Sequence, residues 1–331
     1  MRLRRNPSCG PMGARIDLLE MPVVLRPLMP FAAAFVLAFA LSGAPLPARA
    51  AGAPGVADAV PVAPGLHAFD LTAARNGLTY RVDVSVPPVT PPPGGFPVLY
   101  VLDGNAFFGV AGTVAGLLTA DRPIVVVAIG YPGVVGFDMA RRYLDLTSAV
   151  TPEGRAMMGN RAPKVPTGGD EAFLDLILNE IRPEVARRFP VNDDAATLFG
   201  HSLGGRFVLH AAFTRPDAFT RWVASSPSIW WNDREVLAEE AAFAARADRP
   251  VLDLTLTVGG AEQAAEPDDA PDRIAFRRMA RMVDGVRDMH DRLTKLEGEA
   301  GRIDLLVVPD EGHMSAVPAA LARAVRRAAG G

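Results

Sequence analysis

The clearest sign of chemistry in the sequence is a serine with a glycine two positions away on either side. Gly200, Ser202 and Gly204 stand in the stretch ATLFGHSLGGRFVLHAAF, in which an apolar segment runs into the glycines and helix-like spacing follows. A serine at the tip of such a strand–turn–helix unit is held on a sharp turn, and small neighbours let the strand and the helix approach each other. We therefore predict that Ser202 is a nucleophile, and that the Leu203 amide, at the positive end of the helix, stabilises an oxyanion. The alternative is a serine that only caps the helix.

A nucleophilic serine needs a base within hydrogen-bond reach, and three histidines follow Ser202 in the chain. His210 lies two turns into the following helix, and His290 falls on an apolar stripe that favours packing. His313 stands in the loop PDEGHMS directly after the last predicted strand, as expected where serine, acid and histidine follow one another along the chain. We predict that His313 is the base.

Glu262 is the best candidate for the acid that would orient this histidine. This residue lies on the loop at the carboxyl end of the strand predicted over residues 251–258, whereas Asp253 lies inside that strand. Other candidates stand further along an acidic loop that is typical of a solvated surface: Glu266, Asp268 and Asp269. Glu262 would hold the histidine tautomer and stabilise the imidazolium, and a mechanism without an acid is the alternative.

A second oxyanion donor is expected in the loop after the first buried strand, in the stretch VLDGNAFF. Gly104 allows close backbone approach, so the Asn105 amide is predicted to point into the site. Asp103 is predicted to fix the loop rather than to take part in chemistry.

The elements that must position these residues alternate between strands and helices. Continuous apolar runs at residues 96–102 and 124–129 predict strands that are buried on both faces. Further strands are predicted at residues 196–199, 222–225, 251–258 and 303–308. Helices are predicted from about residue 107 to 118 and over residues 171–189. This alternation predicts an α/β fold with a mostly parallel central sheet and helices on both faces. Alternating residues around Asn76-Gly77 add an N-terminal antiparallel hairpin with a type I′ turn.

The chain begins with a segment of a different kind. A basic flank, the apolar run FAAAFVLAFAL and a small-residue site ending at Ala50 predict a secretory signal over residues 1–50, with Met21 as an alternative start. The apolar run is short for a membrane span, so the mature chain is not expected to insert stably, and an anchor is the alternative. We predict a linker at 51–66 and a single α/β domain at 67–331.

Composition narrows the function classes. The 331 residues carry a net charge of −3, which becomes −7 after residues 1–50 are removed, because six arginines and two acidic residues are lost. An acidic chain without a basic run argues against nucleic-acid binding. The single cysteine, Cys9, lies in the removed part, and the histidines are scattered, so neither a disulfide nor a metal or other cofactor is predicted. The expected location is the periplasm or the exterior, and the oligomeric state stays open.

Six motifs follow one another along residues 67–329: YVLDGNAFF, GGDEAFLDLILNEIRP, FGHSLGG, SSPSIWW, VGGAEQ and EGH. In this order they resemble the putative-esterase family of α/β-hydrolases, and most closely its branch of enterobactin- and bacillibactin-type siderophore trilactone esterases. The resemblance implies an α/β-hydrolase fold and the same functional residues: Ser202, His313, Glu262 and the amides of Leu203 and Asn105.

Residues 131–169 form a long segment in which apolar residues show no clear helical or strand period. We predict that it is a lid that contacts the substrate or, alternatively, a surface insertion. Within it, ARRYLDLT resembles an arginine-rich segment of the siderophore branch. Arg141 and Arg142 could therefore meet an anionic substrate such as a ferric catecholate, or form salt bridges instead. Tyr143, Trp230 and Trp231 could form an aromatic wall, or pack in the interior.

The leading hypothesis is an exported serine ester hydrolase that works through an acyl-enzyme on a small-molecule ester, with a ferric siderophore as the sharpest candidate. Any iron would arrive with that substrate. The alternatives are an acyltransferase of the same fold and a non-catalytic siderophore-binding protein.

Overall fold

The structure, a computed structural model, describes residues 60–63, 65–266 and 268–331. The predicted secretory segment, the cleavage site at Ala50 and most of the predicted linker lie outside the described residues. Within the described ranges, no helix has the length and apolar character needed to cross a membrane.

The described residues form one nine-stranded sheet. Its strands are β1 (Val60–Ala63), β2 (Leu66–Thr72), β3 (Thr79–Ser85), β4 (Phe96–Leu102), β5 (Val125–Gly130), β6 (Val191–His201), β7 (Arg221–Ser225), β8 (Asp253–Gly259) and β9 (Arg302–Val308). The α-helices are α1 (Gly104–Leu118), α2 (Met139–Asp145), α3 (Pro152–Met158), α4 (Asp170–Leu176), α5 (Arg182–Arg188), α6 (Leu203–Thr214), α7 (Trp231–Arg234), α8 (Val236–Ala244), α9 (Pro271–Ala280), α10 (Met282–Glu297) and α11 (Val317–Ala328). A 3₁₀ turn (Gly159–Arg161) follows α3, and a π-helical turn (Ile177–Ile181) joins α4 to α5.

The strand order is β1-β2-β3-β5-β4-β6-β7-β8-β9. Strands β1, β2, β3 and β5 pair antiparallel, and every pair from β5 to β9 along this order is parallel. The predicted mostly parallel sheet with an antiparallel N-terminal hairpin is thus confirmed. Because β6, β7, β8 and β9 are adjacent and parallel, the loops that follow them meet at one edge of the sheet.

Helices cover both faces of the sheet, as the continuous apolar runs predict. In β4, Val98, Tyr100 and Leu102 belong to one core cluster, which also contains the apolar side of α6. The intervening Leu99 and Val101 belong to a second cluster with α1 and α11. All five side chains are fully or almost fully buried, which explains why the strand shows no polar alternation.

The structure corrects the predicted hairpin turn. Gly77 has a φ of +69°, but Asn76 is not left-handed, and a type I′ turn needs positive φ at both central residues. Instead, the Asn76 side chain accepts a hydrogen bond from the Leu78 amide at 2.9 Å, and residues 73–78 form a longer loop. The two-residue turn was therefore wrong, although the pairing of its flanking strands was right.

Two further segments carry more regular structure than predicted. Val60–Ala63, inside the predicted linker, forms the edge strand β1. The segment 131–169, predicted without a period, contains α2 and α3, each of which is capped. Asp138 accepts a hydrogen bond from the Arg141 amide at the start of α2, and Thr151 accepts one from the Gly154 amide at the start of α3. Helices of two turns are too short to show a clear apolar period.

Candidate active site

Ser202 lies on a sharp turn between β6 and α6. Its φ of 61° and ψ of −116° are a strained conformation for a residue with a side chain. The turn is tied to the next strand, because the Ser202 amide donates to the Ser225 carbonyl at 2.9 Å. A Cβ on Gly200 would lie only 2.2 Å from the Gly204 carbonyl oxygen, and one on Gly205 would lie 2.7 Å from the Ser225 carbonyl oxygen. The glycines therefore permit the close packing that holds the serine at the tip of the turn.

His313 and Glu262 form a close pair at the same edge of the sheet. His313 Nδ1 lies 2.7 Å from Glu262 Oε2, and the carboxylate is almost completely buried. The other carboxylate oxygen accepts hydrogen bonds from the Ser226 hydroxyl at 2.5 Å and from the Gly259 amide at 2.7 Å. Donors to both oxygens fix the carboxylate in the orientation that faces the imidazole.

The two loops that carry this pair are packed directly against each other. The Ala261 amide donates to the Glu311 carbonyl at 3.0 Å, and the Gly260 amide donates to the Val308 carbonyl at 2.8 Å. A Cβ on Gly259 would lie 2.4 Å from the Glu311 carbonyl oxygen. Because the loops after β8 and β9 touch backbone to backbone, Glu262 and His313 keep their relative position.

His201 lies beneath this pair, with its ring centroid 4.6 Å from that of His313. Its Nδ1 lies 3.1 Å from the Ser225 hydroxyl. Burial, with additional repulsion from His313 and Arg142, holds the pKa of His201 well below its usual value. A neutral His201 places no positive charge beside the His313 ring at the pH of ordinary assays.

Asn105 and Leu203 each lie in the first turn of a helix, α1 and α6 respectively, where backbone amides have no intrahelical acceptor. The Asn105 side chain is clamped to the end of β5. Its Nδ2 donates to the carbonyls of Tyr131 and Val134 at 2.8 and 2.9 Å, and its Oδ1 accepts from the Tyr131 amide at 2.7 Å. The side chain is thus fully engaged in fixing the loop, which leaves the backbone amide as the group that can bind an anion.

Ser202, Glu262 and His313 line a cavity of about 390 Å³, whereas Asn105 and Leu203 are not among its lining residues. Its lining consists of Arg161, Ser202, Ser228, Trp230, Glu262, Glu266, Arg273, Phe276, Arg277, Met282, Gly312 and His313. Ser202 Oγ lies 3.5 Å from Ser228 Oγ, its side-chain hydrogen-bond partner among the described residues. A serine hydroxyl, a histidine paired with a carboxylate, and cationic and aromatic side chains therefore share one pocket.

Of the five predicted substrate contacts, only Trp230 lines this cavity, where it packs edge-to-face on Phe276. Trp231 is 1% exposed, donates to the Ser148 hydroxyl and stacks on Tyr143. Tyr143 therefore packs against the interior rather than against the cavity.

The two arginines that were predicted to contact the substrate also point into the fold. Arg142 is buried in an ion pair with Asp103. Arg141 lies over the rings of Tyr80 and Tyr131, at 4.6 and 4.7 Å from their centroids. We therefore leave Arg141, Arg142, Tyr143 and Trp231 out of the proposed substrate site. The salt-bridged alternative describes both arginines, because Arg141 Nη2 also lies 3.6 Å from Asp145 Oδ2.

The positively charged side chains that line the cavity come instead from residues that were not predicted from the sequence. Arg161 lies in the 3₁₀ turn, with its guanidinium 4.6 Å from the centroid of Phe276. Arg273 and Arg277 lie in α9, where Arg277 donates to the carbonyls of Ala261 and Glu262. A polar helix with arginines resembles any solvated helix in sequence, so no local signal marked these positions.

Comparison with known proteins decides the family. The sequence profile of the family described as "Putative esterase" matches residues 74–292. The chain belongs to this esterase family.

Individual relatives agree with this assignment. The esterase is 31% identical over 272 residues to the ferri-bacillibactin esterase BesA of Bacillus subtilis, a match that covers 80% of this chain and 89% of that one. It is 35% identical over 291 residues to a siderophore enterobactin esterase of Emericella nidulans, covering 79% and 94% of the two chains. The solved structure of the siderophore hydrolase EstA from Aspergillus nidulans superposes with a TM-score of 0.69 at 30% identity, covering 80% and 94%. The fold of the esterase is the α/β-hydrolase fold.

Proposed function

We propose that this esterase is a serine ester hydrolase in which Ser202, His313 and Glu262 act as nucleophile, base and orienting acid. The observation that carries the proposal is the His313–Glu262 pair, which opens onto the same cavity as the strained Ser202. A nucleophile, a base and a group that orients the base are the three parts that activate a hydroxyl at neutral pH.

In the proposed mechanism, His313 Nε2 takes the Ser202 hydroxyl proton while Oγ forms a bond to the ester carbonyl carbon. The carbonyl oxygen becomes an oxyanion, which the amides of Leu203 and Asn105 stabilise. The tetrahedral intermediate then breaks its bond to the alkoxide leaving group, which receives the proton from His313. Water repeats the sequence on the acyl-enzyme and releases the carboxylic acid, and Glu262 stabilises the imidazolium at both stages.

For the substrate, we propose a siderophore ester, and more specifically the lactone of an anionic ferric catecholate. Two relatives that match most of the chain are named for siderophores of this kind. The cavity supports the choice, because Arg161 and Arg273 are partly exposed cations at its lining and Trp230 and Phe276 offer aromatic faces. Each arginine is paired with an aspartate, Arg161 with Asp272 at 2.9 Å and Arg273 with Asp269 at 3.5 Å, so an anionic substrate would share or replace these partners. Guanidinium groups bind anionic oxygens, and aromatic rings pack against aryl groups.

The test compares turnover of ferric enterobactin-type trilactone with turnover of a neutral aryl ester. We expect kcat/KM to be higher for the trilactone, and Arg161→Gln and Arg273→Gln to lower it several-fold for the trilactone only. Arg302→Gln is the matched control, because Arg302 is a half-exposed arginine at the opposite, amino end of β9. Slower cleavage of the trilactone than of the aryl ester would overturn the siderophore proposal. Tight binding of the trilactone without turnover of either ester would favour a binding protein.

A further inference from the structure

A second cavity, of about 560 Å³, adjoins the active-site cavity. Arg161 and Phe276 line both cavities. The Arg161 guanidinium lies 4.6 Å from the centroid of the Phe276 ring, so these two side chains form a shared wall, the Arg161–Phe276 wall. Ser202 and His313 line the cavity on one side of this wall. A substrate that extends from them past the wall therefore enters the second cavity.

The interior of the second cavity is apolar and rich in sulfur. Met157 and Met158 contribute from α3, and Met279 contributes from α9. Met158 is buried in the main core cluster, and Met157 packs against that cluster. Thioether side chains adapt their shape to a ligand, and their sulfur atoms make favourable contacts with aromatic rings. Together with the Phe276 ring, this lining favours a flat aromatic group.

Polar groups lie at the rim of the second cavity. Asn160, Arg161 and Asp272 are among its lining residues. Arg161 Nη2 lies 2.9 Å from Asp272 Oδ2, and the two side chains are 43% and 76% exposed. An ion pair with this exposure contributes little stability, so a ligand can displace either partner. An apolar cavity of this size with a few polar groups is typical of a small-molecule site.

Both helices that form the second cavity are anchored to the fold. At the start of α3, the Thr151 amide donates to Asn232 Oδ1 at 2.9 Å, and a Cβ on Gly154 would lie 2.9 Å from the Asn232 Cα. In α9, Arg277 donates to the Glu262 carbonyl at 3.1 Å, which joins this helix to the loop after β8. The cavity therefore exists before any ligand binds, and one of its walls is tied to the loop that carries the proposed acid.

We propose that the second cavity binds an aromatic arm of the ester substrate, a ring that the substrate carries away from the scissile bond and past the Arg161–Phe276 wall. This inference rests on the proposed function of the neighbouring site. It applies to any ester with such an arm, and it makes the esterase selective for large aryl-bearing esters over small ones.

The test uses two series of synthetic esters in which an alkyl linker of increasing length carries a terminal phenyl ring. The ring is on the acyl side in 4-nitrophenyl ω-phenylalkanoates and on the alcohol side in ω-phenylalkyl acetates. In matched esters, a cyclohexyl ring replaces the phenyl ring, which keeps the size and removes the aromatic character. The readout is kcat/KM, expressed as the ratio between each ester and the shortest ester of its series.

We expect this ratio to rise about tenfold in one phenyl series at the linker length that reaches the second cavity, because burial of an aryl ring is favourable. The rise should come chiefly from a lower KM, since the ring is remote from the reacting atoms. The matched cyclohexyl ester should gain at least threefold less, because it lacks the contacts between sulfur and an aromatic ring.

Ala275→Phe fills the second cavity from an exposed position on α9. It should return the ratio for the long phenyl ester to about one. Because the ratio is taken within each variant, a general loss of activity cancels. Ala242→Phe is the matched control, since Ala242 is an exposed alanine of α8 that lines neither cavity, and it should keep the wild-type ratio. If Ala275→Phe does not fold, Met279→Gln carries the same comparison.

Three results would overturn the inference: no rise at any linker length in either series, an equal or larger rise for the cyclohexyl esters, or a rise that persists when the cavity is filled. The second result would mean that the cavity takes an aliphatic chain, and the third that the ring binds elsewhere. If the wild-type protein hydrolyses none of the esters, the proposed function falls and the inference falls with it. Hydrolysis of the shortest esters without a rise overturns the inference alone.

Discussion

Replacing Glu262 by Gln removes the charge that faces His313 while keeping the size of the side chain. The amide oxygen of Gln can still accept hydrogen bonds from the Gly259 amide and the Ser226 hydroxyl, so the loop after β8 should keep its shape. What the substitution takes away is the carboxylate 2.7 Å from His313 Nδ1, which would stabilise the imidazolium formed as Ser202 attacks.

The contact distance sets the size of the expected effect. With 2.7 Å between the contacting atoms, the two charge centres lie about 4 Å apart, which corresponds to ~4 kcal/mol at an effective dielectric constant of about 20. The His313 side chain is 39% exposed, so water screens part of this attraction. We therefore expect a loss of about 2–4 kcal/mol of transition-state stabilisation, or about 30- to 1000-fold in kcat/KM.

The assay measures kcat/KM of Glu262→Gln for a neutral aryl ester beside a matched control, Glu297→Gln. Glu297 is an equally buried carboxylate, but it pairs with Arg249 and accepts from the Leu252 amide, away from the cavity. The control should lower the free energy of unfolding and leave kcat/KM unchanged. If folded Glu262→Gln kept kcat/KM within threefold of wild type, the site would work without an acid, and Glu262 would have no role as the orienting group.

Three further predictions concern the turn, the interior and the N-terminus. Gly200→Ala should lower the free energy of unfolding by about 1–3 kcal/mol or more and abolish esterase activity, because its Cβ would lie 2.2 Å from the Gly204 carbonyl oxygen. The control Gly116→Ala, on an open helix surface, should stabilise by about 0.5–1 kcal/mol in urea unfolding, and equal effects would contradict the packing argument. Burial raises the pKa of Asp145 from 3.8 to about 6, so its stabilising contribution is present below pH 3.8 and lost as the pH rises through about 6. The free energy of unfolding of Asp145→Asn, relative to that of wild type, should therefore be about 3 kcal/mol higher above pH 6 than below pH 3.8 in urea unfolding. A pH-independent difference between the two proteins would count against the raised pKa. Finally, we propose export with cleavage after Ala50, for which intact mass spectrometry of the exported protein should find an N-terminus at residue 51; an intact N-terminus contradicts it.

The parallel strands and the loops that follow them were predictable from local sequence. The run at residues 96–102 is buried on both faces and was predicted to the residue, and its identification placed Asn105 directly after the strand. Likewise, the strands predicted at 251–258 and 303–308 located the loops that bring Glu262 and His313 together. For residues 96–102 the continuous apolar run gives this information, because burial on both faces of the sheet requires it.

Which side chains line the cavity and which are buried beside it could not be predicted in the same way, because burial depends on contacts between residues that are distant in the sequence. Arg142 and Arg273 are both arginines in helices, but one is buried against Asp103, 39 residues earlier in the chain, and the other lines the cavity. The sequence around each shows no difference that reports burial. The same holds for Trp230 and Trp231, adjacent residues of which one lines the cavity and the other packs in the core.

Labelling with a fluorophosphonate probe would show whether Ser202 is an activated nucleophile. The purified protein and its Ser202→Ala variant would be treated with the probe, and the modified residue identified by intact and peptide mass spectrometry. We expect stoichiometric modification at Ser202 in the wild type and none in the variant, since only an activated serine attacks the phosphorus. A folded wild-type protein that stays unmodified at Ser202 would contradict the claim that this serine is the nucleophile of the esterase.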